Sequence, residues 1–190
     1  MQELVDRDFI EHSIFQLSED FVSHPNKYLT ENDVRIHLCK LLLEKFGKIE
    51  TTNDRDQSIS LHTEVRWYGN VKLKYRSDIV LIDVATLDVK KAFTLPTKGY
   101  SFDIPKAIIE LKFRRPNGVS DNAFQKSIKN DFNKLVRIKS ELLSVPRNIS
   151  YWIIAFDKKR KIANINLGSE VGFIYKFSNL TNNNRINCCS

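Results

Sequence analysis

Cysteine is scarce in this chain: Cys39, Cys188 and Cys189 are the only three among 190 residues. An odd count with two adjacent members is not a disulfide framework, and Cys39 falls on the expected buried side of a helix. Long apolar runs are also missing. Ile79-Val80-Leu81-Ile82 is typical of the longest, against about 20 residues needed to span a bilayer, so no membrane partner is expected. The opening Met1-Gln2-Glu3-Leu4-Val5-Asp6 has acids where a secretory signal needs a basic stretch and then an apolar one. A cytoplasmic location is therefore expected. His12, His24, His37 and His62 are scattered, and no cysteines are spaced as a metal-binding pair, which argues against structural zinc. The six glycines form no phosphate-cradling loop or dinucleotide fingerprint, and no Ser or Cys sits in a nucleophile elbow. No organic cofactor is expected.

What is present is a balanced globular composition, 42% hydrophobic and 28% charged, with a net charge of +7. That charge is too small to keep the chain unfolded but biases its partners toward polyanions. The length suits one domain with one good core. The expected domain covers 1–180, with N-terminal helices in 1–48 and a core at about 58–156. The Asn-rich stretch 181–190 reads as a polar, flexible tail.

Leu4, Val5, Phe9, Ile14, Leu17 and Phe21 recur at helical intervals, which predicts a helix over about 3–23. Thr30 can cap a second helix, with Asp33 as a short-armed capping-box partner. Val34, Leu38, Leu41, Leu42 and Phe46 make its apolar stripe, and Gly47 stops it. Residues 50–57 read as a polar linker. The period then becomes two, predicting strands over 58–68 and 75–84 around a turn at Tyr68-Gly69-Asn70. Residues 85–104 are ambiguous. Further strands are predicted at 106–113, 149–156 and 172–177, with a long helix over about 121–143. This order suggests an α/β fold: a mixed central β-sheet flanked by α-helices.

The strand Ala107-Ile108-Ile109-Glu110-Leu111-Lys112-Phe113 places Ala107, Ile109, Leu111 and Phe113 on one face and Glu110 and Lys112 on the other. A carboxylate and an ammonium held in parallel are what a metal-dependent phosphodiesterase needs. The acid binds a divalent cation, and the lysine sits near the attacking water and phosphoryl oxygens. In this composition roughly two acid-x-Lys pairs arise by chance. Of the pairs present, Asp88-Lys90, Glu110-Lys112 and Asp157-Lys159, only the second lies in a strongly patterned strand. Asp78, in Arg76-Ser77-Asp78-Ile79-Val80, opens another apolar strand. A buried carboxylate there needs a partner, and a metal is one. The Leu111 carbonyl is a further candidate ligand. The plainer alternatives are a solvated Glu110-Lys112 face and an Asp78 at an exposed strand end.

With these residues in this order, the stretch of about 30–156 resembles the PD-(D/E)xK nuclease superfamily, the restriction-endonuclease-like fold. The resemblance maps the family's metal acid onto Asp78 and its acid-x-lysine pair onto Glu110 and Lys112. Its additional first-strand acid maps onto Glu64, in His62-Thr63-Glu64-Val65, and a helical glutamate onto Glu31. Ser77 stands where the motif has proline, and the long step from Asp78 to Glu110 leaves room for an inserted hairpin. Glu64 could instead pair with Arg66 or Arg76, and Glu31 could simply favour the helix dipole. The resemblance implies an endonuclease hydrolysing DNA phosphodiesters with Mg²⁺, or Mn²⁺ as substitute, and a homodimer for double-strand cleavage. A catalytically inactive nucleic-acid-binding or assembly module on the same fold is the alternative. Basic residues bracket the acids, so Arg76, Arg114, Arg115, Lys126 and Lys134 are the expected DNA contacts. Lys134 could also turn toward the site or lie on a plain surface.

Overall fold

A computed structural model of the chain describes residues 2–69, 72–92, 105–141, 149–162 and 165–178. The element order is α1 (Gln2–Ser23), α2 (Glu31–Phe46), β1 (Glu50–Thr51), β2 (Gln57–Ser58), β3 (Leu61–Gly69), β4 (Lys72–Ile82), α3 (Val89–Ala92), β5 (Pro105–Arg114), α4 (Asp121–Glu141), β6 (Ser150–Asp157) and β7 (Gly172–Phe177). Asn70 of the expected turn, most of the ambiguous 85–104 stretch, the last two positions of the helix expected to reach 143, and the 181–190 tail lie outside the described residues.

Five strands form one mixed sheet in the order β3-β4-β5-β6-β7. The first three pair antiparallel, while β5/β6 and β6/β7 pair parallel. A parallel pair needs a crossover, and α4 supplies it between β5 and β6. The apolar strand expected to be internal is β4, hydrogen-bonded on both edges. Period-two patterning on β5 sends its two sets of side chains to opposite helix layers. Ala107, Ile109 and Leu111 join α1 and α2 residues such as Ile14, Phe21, Leu38 and Leu42 in one core. Ile108 joins Phe124, Ile128, Leu135 and Ile138 of α4 in the other.

The α2 start behaves as the sequence dictates. The Thr30 hydroxyl accepts from the Asp33 N–H at 3.2 Å, and the Asp33 carboxylate accepts from the Thr30 N–H at 2.8 Å. The expected linker at 50–57 and the start of the 58–68 strand differ from expectation. Glu50 pairs with Ser58 and Thr51 with Gln57 in a separate two-stranded ribbon. The Thr52 side chain organises the intervening turn by donating to Asp54 and accepting from the Asp56 N–H, bonds that composition alone does not reveal. No helix among the described residues is long and apolar enough to cross a membrane.

Candidate active site

The β4–β5 ladder ends at the pair Ile79 and Ile109. One step beyond, Asp78 and Glu110 stand level with each other on the two strands. On the other side of β4, Thr63 pairs with Ile79 and Val65 with Ser77, which puts Glu64 level with Asp78. Three acids thus occupy one row across β3, β4 and β5, where the middle ladder opens. The opening frees the Leu111 N–H, and Asp78 Oδ2 accepts it at 2.8 Å.

Glu64 has φ 58°, a left-handed conformation for a residue with a side chain. Such a position costs on the order of 1–3 kcal/mol and persists only where its surroundings fix it. Its effect on the strand is visible. Leu61 packs in the α1/α2 core, whereas Val65 and Trp67 pack in the α4 core, although uniform alternation would put all three on one face.

Both helix layers reach the fork. From α2 come Glu31 and Arg35, four residues apart and so on one side of the helix. Arg35 bridges two of the acids: Nη1 lies 2.5 Å from Glu64 Oε1 and Nη2 lies 3.0 Å from Asp78 Oδ1. Arg76 pairs with the other Glu64 oxygen. From α4 come Asp131 and Lys134. Lys134 Nζ is 2.7 Å from Glu110 Oε2 and 3.3 Å from Asp131 Oδ1, and donates to the Arg76 carbonyl at 2.9 Å. Lys112 Nζ is 2.6 Å from Asp131 Oδ2 and donates to the Leu111 carbonyl at 3.0 Å.

Protonation follows from burial and these neighbours. Glu110 is 1% exposed. Burial outweighs the attraction of Lys134, and Asp78 and Asp131 add repulsion, so the Glu110 carboxyl is pushed up to about 8. Burial also raises Glu31, which feels Lys112, Asp78, Arg35 and Asp131. For Lys112 burial favours the neutral amine, but Asp131, Glu31 and Asp78 together overcome it and raise its pKa. Lys112 is therefore a charged ammonium held in a partly desolvated place.

The structure thus gathers Glu31, Glu64, Asp78, Glu110 and Lys112 at one end of the sheet. Among the described residues, no three His, Cys, Asp or Glu side chains converge closely enough to hold a metal ion as they stand. The donor chemistry nevertheless suits a hard divalent cation, which takes carboxylate and carbonyl oxygen. Glu110 Oε1 is buried without a hydrogen-bond partner among the described residues. An orphaned carboxylate oxygen of that kind is costly unless a cation supplies the missing partner.

The expected DNA contacts separate. Arg76 and Arg115 are exposed, and so is Lys126, which lines an open cleft with Lys129 and Asn166. Lys134 lies inside the acid cluster instead of on a plain surface. Arg114 is a correction. Its side chain is 0% exposed, paired with Asp157 and Asp121, and its guanidinium lies 4.9 Å over the Phe124 ring. A phosphate cannot reach it, because β5 ends by turning Arg114 under the start of α4. Sequence reasoning missed Arg35 and Asp131. Each left a faint signal, Arg35 four residues after Glu31 and Asp131 three before Lys134 on their helices. Compared with family models, curated proteins and solved structures, the chain matches none.

Proposed function

We propose that this protein is a divalent-metal-dependent endonuclease of the PD-(D/E)xK type, hydrolysing DNA phosphodiester bonds on a restriction-endonuclease-like fold. One observation carries the reading: the row of Glu64, Asp78 and Glu110 at the open end of the β4–β5 ladder, with the charged Lys112 two residues along β5. In this reading Asp78 and Glu110 hold Mg²⁺ or Mn²⁺, and Glu64, Glu31 or the Leu111 carbonyl completes the set. The ion, when bound, polarises the scissile phosphate and makes bound water a better nucleophile at neutral pH. Lys112 orients that water and offsets charge developing on the phosphoryl oxygens. Asp131 fixes the Lys112 ammonium in place. Arg76, Arg115 and Lys126 are the remaining candidates for backbone contacts to DNA. A homodimer acting in the cytoplasm completes the reading, since cutting both strands calls for two such sites.

One observation favours the alternative, an inactive nucleic-acid-binding or assembly module. The acids are engaged by Arg35, Arg76, Lys112 and Lys134 and are not already gathered as an open cage. Plasmid nicking in Mg²⁺ or Mn²⁺ separates the two. Nicking by the wild type that disappears in both Asp78→Asn and Lys112→Ala supports the nuclease. Plasmid, linear, branched and single-stranded DNA all left intact by the folded wild type would overturn it.

A further inference from the structure

Arg35 holds a position that neither the sequence pattern nor the nuclease chemistry requires. Its guanidinium spans Glu64 on β3 and Asp78 on β4 at 2.5 and 3.0 Å. The side chain is 15% exposed, and Nη1 is steadied by donating to Asn32 Oδ1 at 3.0 Å. A guanidinium is permanently charged and matches two carboxylates better than any ammonium does. Its seat is nonetheless imperfect, because the Arg35 Nε is buried without a hydrogen-bond partner among the described residues. An unsatisfied buried donor makes this pose less stable than a fully paired one. Charge counting gives the same picture. Glu31, Glu64, Asp78, Glu110 and Asp131 face Arg35, Arg76, Lys112 and Lys134. The protein's own cations thus come close to neutralising the site.

Resting on the nuclease reading, we propose that Arg35 is a resident counter-cation that competes with the divalent metal for Asp78 and Glu64. Two cations on one carboxylate repel each other strongly in a partly desolvated cleft. Metal entry therefore displaces the guanidinium from Asp78, and Arg35 sets how much free metal the site requires. A residue that merely held the fold together would have the opposite signature, since its loss would weaken metal binding along with everything else.

The test is Mn²⁺ binding to the full-length, metal-free protein without DNA, by titration calorimetry and by the loss of the free-ion EPR signal. Arg35→Gln is expected to bind Mn²⁺ on the order of tenfold more tightly than the wild type. Arg35→Lys, which keeps the charge but reaches only one acid, should fall between them. Asp78→Asn should lose the site. If Arg35→Gln does not fold, by circular dichroism, Arg35→Lys decides alone. Wild-type binding with no gain in either Arg35 variant overturns the proposal and leaves the nuclease reading standing. No Mn²⁺ binding by any folded variant, wild type included, overturns the metal reading and this proposal with it.

Discussion

Arg114 offers the sharpest separation between a structural and a DNA-contacting arginine. Its Nε and Nη2 donate to the two Asp157 oxygens at 2.9 and 2.5 Å, Nη1 donates to Asp121 at 2.6 Å, and Nη2 also reaches the Arg160 carbonyl at 3.1 Å. Asp157 is likewise 0% exposed, and it further accepts from the Tyr175 hydroxyl and the Lys159 N–H. Arg114→Met keeps the bulk of the side chain but strands a buried carboxylate. Removing one partner of a buried pair costs about 3–5 kcal/mol. Against a total stability of about 5–15 kcal/mol, that is a large share. For a chain of this length it corresponds to a fall in Tm of roughly 6–20 °C. Urea unfolding followed by circular dichroism measures it. Adding Asp157→Asn removes the stranded charge, so the double variant should be clearly more stable than the sum of the two single losses predicts. A loss below about 1 kcal/mol in Arg114→Met, together with weakened DNA binding by the folded variant, would refute the reasoning and restore Arg114 as a phosphate contact.

Two further predictions follow from local geometry. Gly172 on β7 pairs with Trp152 on β6, and a Cβ at Gly172 would run into the Trp152 ring carbons; Gly172→Ala should lower the urea midpoint by an amount equivalent to about 1–3 kcal/mol, and an unchanged midpoint would show that the ring moves aside freely. At the α1 end, burial raises the Asp20 carboxyl, but hydrogen bonds from Lys27, Tyr28 and His24 outweigh it and bring it down to about 2. A depressed carboxyl contributes stability that is complete above about pH 3.8 and lost as pH falls toward 2. Discounted for partial exposure, Asp20→Asn should cost about 1–2 kcal/mol at neutral pH. The gap to wild type should close on acidification, and a gap independent of pH would disprove the assignment.

The sequence determined most of what is repetitive. Helical spacing gave α1, α2 and α4 because an amphipathic helix must repeat its apolar residues every three or four positions. Period two gave β5, and it placed Glu110 and Lys112 on one face because strand side chains alternate by geometry. Thr30 and Asp33 announced the α2 start because a cap is a bond between near neighbours in the chain. Tertiary structure decided whatever depends on distant segments meeting. The row of Glu64, Asp78 and Glu110 exists through strand register, which no single strand encodes. The left-handed turn at Glu64 breaks the alternation that its own sequence suggests. Arg35 and Asp131 look like ordinary surface charges along their helices, and only the approach of α2 and α4 to the fork brings them to the acids. Arg114 and Arg115 are neighbours of the same type, yet one is buried against Asp157 and the other is exposed. Local pattern reports the direction in which a side chain leaves the backbone; what it meets there is fixed by the packing of elements far away in sequence.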